Sequence, residues 1–108
     1  DMVGHTGKME PTIEAIRFLD AQLKRLVEDL LEEGGVAIIT ADHGNAEKMF
    51  DEESNQPSTS HSLNPVPLII TIKDTVLKEG TLADITPTIL SLFGLPKPES
   101  MTGKSLLE

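Results

Sequence analysis

Cysteine, tryptophan and tyrosine are absent from this chain, and phenylalanine occurs only three times. Without cysteine there can be no disulfide and no thiolate metal ligand, and the composition suits a reducing compartment. With so few aromatic rings, any core must be filled by Leu, Ile and Val. Positive charge is scarce too: nine Lys and Arg face eighteen Asp and Glu, for a net charge of −9. Nucleic acid is therefore disfavoured as a partner, because its phosphates need clustered basic side chains. For the same reason these residues alone would repel a phosphorylated small molecule. Long apolar runs are also missing: nothing approaches the roughly 20 residues of a membrane span, and no signal-peptide pattern is present. The expectation is a cytoplasmic protein with no membrane partner.

Several catalytic motifs are missing as well. A hydrolase built on a nucleophile elbow would carry G-x-S-x-G, which does not occur. Neither of the glycine-rich phosphate loops, G-x-x-x-x-G-K-[ST] and G-x-G-x-x-G, is present. The stretch "MTGKSLL" near the end matches part of a phosphate loop, but it lacks the first glycine and the preceding strand.

The 108 residues suit at most one small domain. After the loop-like start "DMVGHTGK", residues from about Met9 to the Gly34-Gly35 pair read as one long helix. Pro11 suits its first turn, Glu10 and Glu14 suit the positive end of its dipole, and the glycines suit a C-terminal cap. Ile16, Leu19, Leu23, Leu26 and Leu30 recur at steps of three and four, an apolar stripe expected to pack in a core rather than form a coiled-coil seam. Val36–Thr40 ("VAIIT") and Val66–Ile72 ("VPLIITI") read as strands buried on both faces. Between them, residues 51–64 are polar and patternless, an exposed loop. A second helix is expected around Ala83–Phe93, with Thr81 as its cap and Gly94 as its stop, followed by a tail running over the surface. Helix, strand, loop, strand, helix is an α/β texture. Two strands fall short of the three or more that a stable sheet needs, so the chain reads as part of a larger domain.

The chemistry concentrates in loops. His5 follows Asp1 at i+4, His43 follows Asp42 directly past the first strand, and His61 lies in "STSHSLNPVP". Neutral imidazole and carboxylate are good ligands for borderline divalent metals. Asp42-His43 also occupies the carboxyl end of a strand, where α/β proteins gather ligands. Taken singly, each His also suits a surface position, Asp42 and Asn45 suit turn formers, and Asp1 suits a frayed end. Spacing alone leaves both readings open.

In order, "DMVGHTG", "TADHGNAE", "HSLNPVP", "LADITPTILSLFGLP" and "MTGKSLL" cover nearly the whole chain. Together they resemble the C-terminal part of the cofactor-independent phosphoglycerate mutase family, within the alkaline phosphatase superfamily of binuclear metalloenzymes. Pieces such as "DITPTIL" are shared with sulfatases and phosphatases, whereas "DMVGHTG" with "TADHGNAE" is specific to the mutases. The other members of the superfamily, phosphopentomutases and sulfatases, are the alternative reading, and a non-catalytic metal-binding module is the contrasting one.

The resemblance implies a three-layer α/β fold of mainly parallel strands flanked by helices, incomplete in residues 1–108. These residues would be the C-terminal segment of the metal-binding domain, without its N-terminal part and without an inserted substrate domain. It implies an isomerase of glycolysis that interconverts 3-phosphoglycerate and 2-phosphoglycerate through a phosphoserine. Two divalent ions are implied, Mn²⁺ first with Zn²⁺, Co²⁺ or Mg²⁺ as alternatives, and no 2,3-bisphosphoglycerate. Asp1, His5 and His61 match the full protein ligand set of one ion, and Asp42 and His43 match half the set of the other. The nucleophilic serine and the basic substrate-binding residues have no counterpart here, so no catalytic or substrate-binding residue is assigned. Lys8 is the one basic residue placed near the site. The segment alone is expected to be inactive and, with uncovered strands and an uncovered helix face, to associate with itself.

Overall fold

Residues 1–108 are all described by the computed structural model, and they divide into two compact units, Asp1–Thr71 and Ile72–Glu108. The first unit begins with a short 3₁₀ turn, Gly4–Thr6, closed by Gly7 at φ 65°. That left-handed conformation favours glycine. A β-carbon at Gly7 would also press on Pro57, so both backbone and space demand the residue.

Helix α1 spans Met9–Glu32, close to the range read from sequence. Lys8 stands at its start without a side-chain cap. The first turn is instead tied by the Thr12 hydroxyl, which donates to the Lys8 carbonyl at 2.8 Å. At the other end, Gly34 adopts φ 75°. The Gly34 N–H donates to the Leu31 carbonyl (3.0 Å) and the Gly35 N–H to the Leu30 carbonyl (2.8 Å), a Schellman cap.

The apolar stripe of α1 is only partly covered. Leu23, Val27 and Leu30 are half-buried, while Leu19 and Leu26 are 64% and 66% exposed. No strand of the first unit packs extensively against α1, so most of its stripe has no facing layer.

Strand β1 (Ile38–Thr40) pairs with β4 (Leu68–Ile70) in the register Ile38↔Ile70, Ile39↔Ile69 and Thr40↔Leu68. Thr71 extends the pair: its hydroxyl accepts the Ala37 N–H at 2.9 Å and its own N–H donates to the Ala37 carbonyl at 3.1 Å. The polar stretch expected to be an irregular loop holds a hairpin instead. Strands β2 (Phe50–Asp51) and β3 (Gln56–Pro57) are joined by a turn in which the Asp51 carboxylate accepts the Ser54 hydroxyl at 2.6 Å. Asn55 sits at φ 53°, a conformation its short polar side chain tolerates.

Both sheets are two-stranded and antiparallel, which departs from the mainly parallel order expected. Parallel neighbours need a crossover, usually helical. The chain between β1 and β4 folds as a hairpin and loops instead, and then returns alongside β1 in the opposite direction. The two strands are also half-buried rather than buried on both faces, and Ile69 is exposed.

In the second unit, a 3₁₀ turn (Leu82–Asp84) leads into α2 (Ile85–Leu92). The Thr81 N–H donates to Asp84 Oδ2 at 2.7 Å, and the Asp84 N–H donates to the Thr81 carbonyl at 3.0 Å. Gly94, at φ 63°, ends the helix with the same double bond as α1: Gly94 N–H to Ser91 and Leu95 N–H to Leu90. The expected cap and stop are both present. The tail follows the expected surface path over residues 96–100 and then turns inward at Gly103 and Leu106. The Lys104 N–H donates to Asp84 Oδ1 at 2.7 Å, and the Leu106 N–H donates to the Thr88 hydroxyl at 3.0 Å. Leu107 then bridges Leu77. Thr88 and Leu106 are buried. "GKS" is thus a packing element: a β-carbon on Gly103 would strike the Ala83 carbonyl, and Lys104 contributes its backbone to Asp84. No helix in the chain is long and apolar enough to cross a membrane.

Candidate metal centre

Apart from Thr12 in α1, the buried residues of the first unit lie in turns and loops rather than in α-helix or sheet. Gly4, Gly44, Asn45 and Met49 are buried, drawn together from the N-terminal turn and the segment after β1. Around them lie the three histidines. The turn Gly4–Thr6 brings His5 back over Asp1, with the His5 N–H on the Asp1 carbonyl at 3.3 Å. The Gly44↔Ser62 bridge, with the Ser62 N–H on the Gly44 carbonyl at 2.9 Å, carries His61 to the same place.

Of the five residues singled out from sequence, Asp1, His5 and His61 come together most tightly. His61 Nε2 lies 3.0 Å from Asp1 Oδ1 and 3.1 Å from His5 Nε2, and His5 Nε2 lies 3.3 Å from the same carboxylate oxygen. His43 stands one step out: its ring stacks on that of His61 with centroids 3.5 Å apart, and its Nε2 is 3.7 Å from Asp1 Oδ1. Asp42 reaches the group only through His43, at 3.6 Å, and is the most exposed of the five at 86%.

The donors are prepared by their surroundings. His5 Nδ1–H donates to the Thr59 carbonyl at 2.6 Å, which leaves the Nε2 lone pair facing the cluster. His43 Nδ1 makes a longer contact of the same kind to the Gly44 carbonyl, at 3.3 Å. Partial desolvation of the His61 ring, reinforced by His43 and His5, pushes its pKa below the ordinary imidazole value, so the neutral form persists. Lone pairs of two imidazoles and a carboxylate oxygen this close repel one another unless a proton or a cation lies among them. Such a donor set fits a divalent ion of borderline character. Asp1, His5 and His61 could hold one together.

Sequence reading passed over the residues that hold this group in shape. Glu47 accepts the Asn45 N–H at 2.6 Å, the Ser62 hydroxyl, and the Asn64 amide at 3.1 Å. The Ser62 hydroxyl first, then neighbouring N–H groups and the Asn64 amide, holds the Glu47 carboxyl below its ordinary value despite some desolvation. A β-carbon on Gly44 would collide with both Ser62 and Glu47. The only available signal was the position of Asn45 and Glu47 beside His43, since nothing local reveals a partner fifteen residues away. A hollow of about 560 Å³ opens beside His61, and Lys48 is among the residues that line it.

The donors and their supports lie between residues 1 and 64, within the span matched by a known family. The family description "Metalloenzyme superfamily" matches residues 1–97. Among individual relatives, a 2,3-bisphosphoglycerate-independent phosphoglycerate mutase of Methanosarcina acetivorans is 53% identical over 99% of this chain and 21% of its own length. Mutases of the same name from Listeria monocytogenes and Coxiella burnetii are 53% and 55% identical over 100% and 99% of the chain, again 21% of their own lengths. The chain thus spans about a fifth of the curated relatives it matches. A match over nine-tenths of the residues, taking in every donor of the cluster, makes this chain a member of the Metalloenzyme superfamily.

Proposed function

We propose that this chain is the metal-holding C-terminal segment of a cofactor-independent phosphoglycerate mutase, an isomerase acting on 3-phosphoglycerate and 2-phosphoglycerate in the cytoplasm. The observation that carries the reading is the convergence of Asp1 Oδ1, His5 Nε2 and His61 Nε2 at separations of 3.0–3.3 Å. In it, Asp1, His5 and His61 hold one divalent ion, most simply Mn²⁺. Asp42 and His43 hold half of a second site, completed by groups outside these residues. When bound, such ions neutralise charge on a transferring phosphoryl group and lower the pKa of an oxygen nucleophile.

The chain's own residues serve to orient and to exclude alternatives. The Thr59 carbonyl keeps the proton of His5 on Nδ1. The stacked His43 and His61 rings restrict each other's rotation. A chain of net charge −9 needs basic groups from elsewhere to bind a phosphorylated acid. The two antiparallel pairs fit one margin of a three-layer α/β sheet whose parallel strands lie outside these residues, since mixed sheets commonly carry antiparallel edges.

Calorimetric titration of the chain with Mn²⁺ tests the reading. One ion per chain is expected, with binding abolished in His5→Ala and in His61→Ala. Binding that survives both substitutions unchanged would overturn the ligand assignment. These 108 residues alone are expected to give background turnover of 3-phosphoglycerate at every Mn²⁺ concentration, and activity above background would refute the division of labour.

A further inference from the structure

We infer that Glu47 is the positioning residue of this centre, the carboxylate that sets the His61 loop against the His43 loop and so fixes the spacing of the donor atoms; the inference rests on the metal reading above. Three observations carry it. Each oxygen of Glu47 serves a different segment: Oε2 takes the Asn45 N–H at 2.6 Å, and Oε1 takes the Ser62 hydroxyl and the Asn64 amide, the latter at 3.1 Å. Ser62 follows His61 directly, so the bond acts one residue from a donor ring. Asn45, held by the same carboxylate, is itself buried, and its side chain fills the space that a β-carbon on Gly4 would need. Gly4 lies between Asp1 and His5. One acidic side chain therefore connects the N-terminal turn, the segment after β1 and the His61 loop.

Other links between these segments run pairwise: the His5 ring to the Thr59 carbonyl at 2.6 Å, and backbone bonds between the two later loops. The β1–β4 pairing ends at Thr40 and Leu68, short of all three histidines. Through the backbone, the two histidine loops are tied by the Gly44↔Ser62 bridge and, further out, by the Ser58 N–H on the Met49 carbonyl at 2.9 Å. A backbone bridge sets direction but leaves rotation about it free. Two further bonds from one carboxylate remove that freedom. Glu47 touches none of the donor atoms, so its effect passes entirely through Ser62, Asn64 and Asn45. Outer partners of this kind typically change metal affinity by about 10–100-fold when removed.

The test compares Glu47→Gln, Glu47→Ala, Ser62→Ala and His5→Ala in the full chain. Three readouts are used: Mn²⁺ affinity by calorimetry, the d–d absorption of the chain saturated with Co²⁺, and thermal unfolding without metal. Glu47→Gln keeps the shape but turns an amide N–H₂ toward one of the donors. It should weaken Mn²⁺ by about 10–100-fold and alter the Co²⁺ spectrum. Ser62→Ala should do the same in smaller measure, and combining it with Glu47→Gln should cost less than the sum of the two, because both act on the one Glu47 network. If Glu47→Ala fails to fold, Ser62→Ala and Glu47→Gln still decide the matter. Wild-type affinity and spectrum in folded Glu47→Gln, alongside lost binding in His5→Ala, would overturn the positioning role and leave the metal reading standing. An affinity loss matched by lost metal-free stability, with the Co²⁺ spectrum unchanged, would also overturn it. Unchanged binding in His5→Ala would remove the metal reading and this inference together.

Discussion

Each of the two units is organised around one carboxylate that gathers donors from distant segments. In the second unit Asp84 takes the Thr81 N–H, the Thr81 hydroxyl and the Lys104 N–H. In the first, Glu47 takes the Asn45 N–H, the Ser62 hydroxyl and the Asn64 amide. Their surroundings differ. Asp84 sits at the start of a helix above buried Thr88 and Leu106, so the bonds it makes close a packing unit. Glu47 sits among loops, and its bonds hold residues next to His43 and His61, whose rings stack on each other. A carboxylate is suited to both tasks, because its two oxygens offer about four acceptor positions to donors from different directions. Whether it closes a fold or shapes a site depends on what it gathers.

The largest expected effect separates the two units outright. His61→Ala should abolish Mn²⁺ binding in the first unit, while Asp84→Asn should leave it untouched. Calorimetry on both variants checks this, and equal losses would break the comparison. Next in size is Gly103→Ala. The added methyl meets the Ala83 carbonyl, and overpacking of this kind costs about 1–3 kcal/mol. Hydrogen exchange at the Lys78 and Leu106 amides, whose bonds tie the tail, should accelerate accordingly.

A further expectation concerns uncovered surface. Ile16, Leu19 and Leu26 on α1 and Ile69 on β4 are exposed, and open strand edges invite pairing with another chain. Self-association of these 108 residues is expected in 0.15 M salt, where charge repulsion is screened beyond about 8 Å. Sedimentation equilibrium that returns a monomer of 11.7 kDa would contradict it.

The smallest effect is a pH dependence. The Lys104 N–H, followed by the Thr81 N–H, holds the Asp84 carboxyl below its ordinary value of 3.8. A depressed folded-state pKa stabilises the folded form above the unfolded value. That contribution fades as pH falls below 3.8 and through the folded pKa. Asp84→Asn should flatten this acid limb without altering the slope at neutral pH, as thermal unfolding across pH would reveal.

Much of the local structure was legible because it follows from short-range rules. The helix α1 and both its limits were written in the spacing of Leu and Ile, in Pro11, and in glycines able to adopt positive φ. The Thr81 cap and the Gly94 stop were legible for the same reason. The hairpin Phe50–Pro57 was not, because its strands are two residues long, too short to show a period. The tail was read as surface chain, which holds for residues 96–100 but not for its last residues, where Gly103 and Leu106 are buried. Its partners, Asp84 and Thr88, lie eighteen to twenty residues away, and its bonds run through backbone N–H groups that every residue carries.

The candidate site divides in the same way. Its five candidate residues could be named from the sequence, by residue type in loops and by likeness to a family. That Asp1, His5 and His61 meet at one point while Asp42 stands at the edge depended on the fold. So did the role of Glu47, an acid that composition alone would assign to a solvated surface. The sequence by itself determined which residues can form a helix, end one or donate a lone pair, because those properties belong to single side chains and their near neighbours. The tertiary structure alone decided the antiparallel pairing of β1 with β4 and which carboxylate holds which loop. Those contacts join segments 15 to 34 residues apart, and their choice depends on loop closure and mutual packing rather than on any local preference.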